Sequence, residues 1–308
     1  MILGILGDTH FTNRSPERRI DSYWDTFGRK TEEVLSIFKE NECDAVIQVG
    51  DFFDTPTVAN RVKSFLITVL NKYRRKICCI VGQHDIVGHS VSTLPNSPLA
   101  VLEAAGVVGL LNNNPQHLGS TKEGIPIDIY GANFGEEVPE VKEKENFNIL
   151  VIHAMIGTRP LYPGQDLADP QRFLRKYPKY NLVCAGDYHY RFIETYKDRM
   201  IINPGALIRK TISKFDLEHR PAVVIFDTDT NTSKVIELDV ESIEKVFNLT
   251  RIEKKNSDAL LQFIEGLKNR GKEVVGWKHI LHTVLKERNS NQEVKQIIDE
   301  VLEEINHE

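Results

Sequence analysis

Histidine, aspartate and glutamine recur in this chain where short apolar runs end. Ile2–Leu6 leads into Gly7-Asp8-Thr9-His10, and Ala45–Val49 into Gly50-Asp51-Phe52-Phe53-Asp54. Ile77–Val81 leads into Gly82-Gln83-His84-Asp85, Ile149–Ile152 into His153, and Leu182–Ala185 into Gly186-Asp187-Tyr188-His189. Imidazole and oxygen donors together suit manganese, iron or zinc, and the cysteine positions rule out a soft thiolate site. The donors outnumber those that one tetrahedral ion takes. A pair of ions sharing a carboxylate accounts for them, and pairs about 3.5–4 Å apart are built for phosphoester cleavage. Taken singly, a Gly-Asp after a strand is ordinary turn chemistry. Asp54 and Asp85 fit a helix cap or a turn as well as a place behind the ligands. It is the ordered recurrence, each cluster following a β-rich run, that argues for one centre. His117, His219, His279, His282 and His307 follow no such pattern and receive no role.

The elements that must position these residues alternate. Besides the runs above, Ile125–Tyr130, Phe192–Tyr196, Met200–Ile202, Ala222–Asp227 and Lys234–Leu238 read as strands. Helices are expected at about Asp21–Asn41, Val58–Tyr73 and Pro98–Ala105; in the first, Trp24, Phe27, Val34, Ile37 and Phe38 recur at helical spacing. Strand–helix–strand order predicts an α/β core, in which ligands bind beyond the carboxyl ends of the strands. Glycines at those ends let the chain turn sharply and approach a ligand closely. Residues 155–180, rich in Pro, Gly, Arg and Tyr, read as a long excursion above the core. Beyond about Lys255 the β pattern stops, and 257–270, 277–288 and 291–306 read as short amphipathic helices.

Composition narrows the class without giving the function. The 308 residues are 41% hydrophobic and 27% charged, which suits a globular protein with a sizeable core. No apolar run approaches the roughly 18 residues of a membrane span, and no basic stretch precedes the opening MILGIL, so neither a span nor a signal peptide is expected. Cys43, Cys78, Cys79 and Cys184 lack CxxC spacing, which predicts buried free thiols in a reducing, cytoplasmic compartment. The net charge of −5 gives no bulk signal for nucleic acid. Local basic groups exist nevertheless: Arg14, Arg18 and Arg19 follow the first cluster, Arg159, Arg172, Arg175 and Lys176 lie in the excursion, and Arg209 and Lys210 come later. Near metals they could track a phosphate backbone; scattered surface charge is the plainer reading.

The series Asp-x-His, Gly-Asp-x-x-Asp, Gly-Gln-His-Asp, His and Gly-Asp-x-His resembles that of the calcineurin-like metallophosphoesterases. Within them the chain is most similar to SbcD-type DNA nuclease subunits, through GDFFDTPT at the second cluster, the long helix before it, and NPGALIRKT at 203–211. The resemblance covers about residues 1–230 and implies a four-layer α/β/β/α sandwich. It implies a nuclease domain over 1–214, an end of core or shortened capping region over 215–250, and a helical segment over 251–308 that could dock an ATPase partner. By the same resemblance, Asp8, His10, Asp51 and His189 hold one divalent metal, and Asp51 bridges to a second held by Gln83, His153 and Asp187. His84 would contact the scissile phosphate and protonate the leaving oxygen, oriented by Asp85 or another carboxylate, with Asp54 behind the ligands.

Two positions depart from the family, which usually has Asn at Gln83 and His at Asp187. Both fall on the second metal. Gln is one methylene longer than Asn and must approach by another rotamer. Asp for His shifts preference towards harder ions such as manganese or magnesium, so manganese is expected, with magnesium or iron as alternatives. The implied activity is exonuclease on duplex ends and endonuclease on single strands or hairpins. DNA, a second copy of the chain and an SbcC-type coiled-coil ATPase are the implied partners. Two rivals stand beside this reading: a stand-alone phosphoesterase on a small nucleotide or phosphoprotein, and a non-catalytic scaffold with a degenerate second metal site.

Overall fold

The computed structural model describes residues 1–161 and 165–249. The helices expected after residue 255, and the dock they were to form, lie outside the described residues. Strand and helix alternate at the start: β1 (Ile2–Leu6), α1 (Tyr23–Glu40), β2 (Ala45–Gln48), α2 (Asn60–Tyr73) and β3 (Lys76–Cys79). Then come α3 (Pro98–Ala104), β4 (Gly109–Leu110), β5 (Gln116–Ser120), β6 (Pro126–Ala132) and β7 (Phe147–His153). The remainder is α4 (Pro170–Lys176), β8 (Leu182–Gly186), β9 (Phe192–Tyr196), β10 (Arg199–Asn203), α5 (Lys214–Glu218), β11 (Ala222–Asp227), β12 (Thr232–Glu237) and α6 (Ile243–Val246).

The strands form two six-stranded sheets, ordered β12-β11-β1-β2-β3-β4 and β5-β6-β7-β8-β10-β9. β1 to β4 run parallel, as do β6, β7, β8 and β10, while β5, β9, β11 and β12 pair antiparallel. Period-two alternation explains why the sheets stack. Along β2 and β3, Ile47 and Cys78 enter the layer between the sheets, while Val46 and Ile77 face the helices. Along β7 and β8, Ile149, Val151, Leu182 and Cys184 enter that same layer, while Leu150 and Val183 face outward onto the cluster of Leu174 and Tyr180. Such near-continuous apolar runs are what parallel strands covered on both faces require. The result is the four-layer α/β/β/α sandwich.

Local chemistry sets the helix boundaries. Ser22 caps α1 by accepting from the Asp25 N–H, and Phe27, Val34 and Phe38 form its buried stripe. Ser97 and Asp169 cap α3 and α4, each followed by a proline in the first turn. On α2, Val62, Leu66 and Leu70 face the core, and Phe65 packs on Trp24 and Phe27. Residues 222–237 add β11 and β12 to the first sheet. All four cysteines are buried and free. Among the described residues no helix is long and apolar enough to cross a membrane.

Candidate dimetal centre

The parallel strands β1, β2, β3, β7 and β8 end side by side, and their loops bring the polar clusters together. His10 and His189 face each other with 3.1 Å between Nε2 atoms. His189 Nε2 lies 3.5 Å from Asp8 Oδ2, and His10 Nε2 lies 3.8 Å from Asp51 Oδ2. On the other side of Asp51, His153 Nε2 is 3.4 Å from the same Oδ2, and His84 Nε2 is 3.9 Å away. Asp51 Oδ2 is therefore the point that both halves share. Asp51 and His153 are fully buried, whereas the side chains of His84 and His189 are 45% and 39% exposed. Two histidines stand at a solvent-facing rim over a buried acidic floor.

The residues fit a pair of cations. Asp8 Oδ1, Asp51 Oδ2, Gln83 Oε1 and His153 Nε2 are buried without a hydrogen-bond partner among the described residues. Buried acceptors left unmatched in this way are costly, and a cation satisfies them together. Asp8, His10 and His189 offer donor atoms mutually within 4.8 Å, as do His10, Asp54 and His84. Gln83 and Asp187, the two departures from the family pattern, meet each other: Gln83 Nε2 donates to Asp187 Oδ1 at 2.8 Å. The amide nitrogen is thereby occupied, and the carbonyl oxygen is left for a cation.

Electrostatics agree with that reading. Burial opposes ionisation of Asp51, yet the adjacent His153 imidazole at 3.4 Å, with His10 and His84, holds its carboxyl below the usual range. Burial alone would lower His153, but Asp51, backed by Asp8 and Asp187, raises it to about 10. Burial pushes Asp8 well above the ordinary carboxylate range; His153 opposes this, and Asp51 and Asp187 add to it. Burial keeps His10 and His189 low, so both are neutral ligand-type imidazoles at pH 7. Without metal, the centre thus holds protons that cations would replace.

The framework behind the ligands is specific. His153 Nδ1 donates to the Val49 carbonyl at 2.7 Å, which fixes the tautomer and leaves Nε2 for the centre. The Asp187 N–H donates to Asp8 Oδ2, and the His84 N–H to Asp51 Oδ1. The glycines exist to allow this crowding. A Cβ on Gly50 would stand 2.4 Å from His153 Nδ1, and one on Gly82 would stand 2.2 Å from Asp51 Oδ1. Gly50 also has φ of +96°. His10, Asp51 and Asp187 themselves adopt left-handed φ values of 46°, 47° and 80°. Such backbone, costing of order 1–3 kcal/mol per residue, persists where surrounding structure enforces it, and it clusters at active sites.

The remaining sequence-selected residues fall in three places. His84 is oriented by the Asp54 backbone carbonyl, to which its Nδ1 donates at 3.0 Å, rather than by Asp85. Asp85 is completely buried and accepts from the Phe52, Phe53 and Gly82 N–H groups, so it clamps two ligand loops together. The Asp54 carboxylate takes the Lys210 ammonium and lies 3.6 Å from His10 Nδ1. Arg14, Arg159 and Arg172 are exposed, and Arg18 is half-buried. The Arg159 guanidinium lies over the Tyr190 ring at 4.6 Å, while Tyr188 Oη donates to the Arg159 carbonyl. Arg209, grouped with the phosphate-tracking arginines, instead turns inward and donates to the Glu241 carbonyl. Its loop is held that way because Arg19 donates to the Arg209 carbonyl.

Gln48 and Asn203 were absent from the sequence-based set. Buried Gln48 bridges the Gly50 backbone, and buried Asn203 ties the Tyr188 carbonyl to the Gly205 N–H. The signal was present: each is an amide closing a fully buried strand, where a buried polar group must have a structural task.

The chain belongs to the calcineurin-like phosphoesterase superfamily. The model of the Calcineurin-like phosphoesterase superfamily domain matches residues 1–231. This is a class of dimetal phosphoester hydrolases, and the donor set suits divalent metals. No curated protein matches the sequence. Solved structures similar to this chain include TT1561 of Thermus thermophilus, 11% identical over 77% of this chain and 98% of that chain, with a TM-score of 0.49. A novel archaeal phosphodiesterase is 17% identical over 77% and 100%, with a TM-score of 0.40. A dimetal phosphatase from Danio rerio is 11% identical over 78% and 99%, with a TM-score of 0.45.

Proposed function

We propose that this phosphoesterase is a metal-dependent DNA nuclease, the nuclease subunit of an SbcC/SbcD-like complex. The observation that carries the phosphodiesterase chemistry is the shared Asp51 Oδ2, flanked on its two sides by His10 and His153 and faced by His84. With divalent cations bound, such a centre supplies a nucleophilic water at neutral pH and charge to offset the phosphoryl oxygens. Asp8, His10, Asp51 and His189 would hold one ion; Asp51, Gln83, His153 and Asp187 would hold the other, manganese being the preferred ion. The protein's own part is orientation and proton delivery. Because His84 Nδ1 is engaged by the Asp54 carbonyl, Nε2 is the atom that faces the centre. That atom is placed to pass a proton to the departing oxygen.

DNA as substrate is supported by GDFFDTPT and NPGALIRKT and by the exposed Arg14 and Arg159 on loops following ligand strands. A homodimer and a coiled-coil ATPase bound through 251–308 complete the proposal. The test is cleavage of labelled duplex and hairpin DNA by the purified chain with manganese, magnesium or EDTA. Manganese-dependent cutting, abolished by EDTA and in Asp51→Asn, is expected. Turnover of a small phosphodiester without any cutting of DNA, including after addition of the ATPase, would replace the nuclease with a small-substrate phosphoesterase.

A further inference from the structure

Away from the metal centre, a cleft of about 340 Å³ opens between α1 and the loops at 207–209 and 239–241. Four cationic side chains, Arg19, Arg29, Lys30 and Arg209, line it together with the carboxylates of Glu33, Asp239 and Glu241. Three of them have acidic partners. Arg19 forms a paired contact with Asp21, Arg29 meets Glu241 at 3.1 Å, and Lys30 meets Glu33 at 3.1 Å. Arg209 is different. It is 7% exposed, it donates from Nη2 to the Glu241 carbonyl, and no carboxylate among the described residues lies within 4.0 Å of it. Burial, with Arg19 and Arg220 nearby, lowers its pKa, and Asp216 and Asp21 offset this only in part. Buried charges are normally matched by an opposite charge, and a guanidinium presents a planar fork suited to phosphate oxygens.

We propose that this cleft binds the phosphate of a small organic phosphate monoester, with Arg209 as anchor and the exposed Arg29 at its mouth. The volume lies at the lower end of ligand pockets, roughly 300–1,000 Å³, which suits a mononucleotide-sized molecule. Leu207, Pro221 and Val246 supply apolar wall for its organic part. The site is separate from the dimetal centre, although the adjacent Lys210 reaches back to Asp54. This proposal does not depend on the nuclease reading.

Calorimetric titration of the full-length protein, stripped with EDTA so that the metal centre cannot take phosphate, tests it. Inorganic phosphate, deoxyadenosine 5′-monophosphate and deoxyadenosine are the probes. Saturable binding is expected for both phosphates, tighter for the nucleotide, and none for the nucleoside. Arg209→Gln should weaken nucleotide binding at least tenfold. Because Arg209 is buried, Arg29→Gln provides the second variant: its side chain is 61% exposed, so it should keep the wild-type unfolding midpoint while binding at least threefold more weakly. Absence of saturable binding by both phosphates, equal binding of the nucleoside, or unchanged affinity in both variants would overturn the proposal.

Discussion

At the scale of single residues, the proposed dimetal centre depends on the protonation state and direction of its candidate ligand atoms. His153 is held as a proton-bearing partner of Asp51 in the metal-free chain, with a pKa raised to about 10, and Asp8 is also pushed up. Metal uptake must expel those protons. Below pH 10 the apparent affinity should therefore rise with pH, by up to tenfold per unit for each proton released. Titrations in buffers of different ionisation enthalpy should show net proton release; pH-independent affinity would remove His153 and Asp8 from the ligand set. His84 is different in kind, exposed and aimed by a backbone carbonyl. His84→Ala should retain bound metal while losing at least ~100-fold in turnover, the scale of one acid–base group. Near-normal turnover in that variant would take His84 out of the reaction.

At the scale of elements, the strands deliver the ligands and the loops after them lock the geometry. Asp85 shows how. Its carboxylate accepts three backbone N–H groups from two loops, and burial with the neighbouring Asp51 pushes its pKa up to about 7. Asp85→Asn would set an NH₂ against one of those donors. A loss of about 1–3 kcal/mol in stability is expected by urea denaturation, together with weaker metal binding. Gly50→Ala should damage the same junction through its positive φ and the collision with His153.

Most of this architecture could be read in the sequence. β1, β9 and β11 run over the residues expected of them, because a short β-rich run bounded by polar residues has few other fates. β5 escapes such a reading since Gln-His-Leu-Gly-Ser forms an edge strand with no buried face, and β4 is too short to show a period. α4 lies hidden inside the proline-rich excursion, although Asp169-Pro170 is a helix-start signal. Clustering of the site residues follows from their strand-end positions. The role of Asp85 does not, because a clamp on distant amides depends on which loops touch in space. Arg209 departs from its expected place for a related reason: adjacent Arg209 and Lys210 point to opposite sides of one loop.

At the scale of the whole molecule, two sheets share one dry layer, so the loops from both are held over a common floor. The first sheet is completed by β11 and β12, and Met1 is tied to their turn through its ammonium and the Asp229 carboxylate at 2.7 Å. With a net charge of −5, the chain carries no general attraction for DNA, so the proposed DNA binding would rest on a few placed cations. Duplex affinity should therefore fall only gently with salt, and Arg14→Ala and Arg159→Ala should each flatten the log–log slope by about one. Unchanged slopes would remove these side chains from the DNA path.

The account stands on two metals sharing Asp51. Electron paramagnetic resonance of the manganese-loaded protein, with metal content measured on the same sample, tests that directly. Two ions per chain with the multiline signal of an exchange-coupled pair are predicted, and Asp51→Asn should abolish the coupling. A single ion per chain, or two uncoupled ions in the wild type, would contradict it.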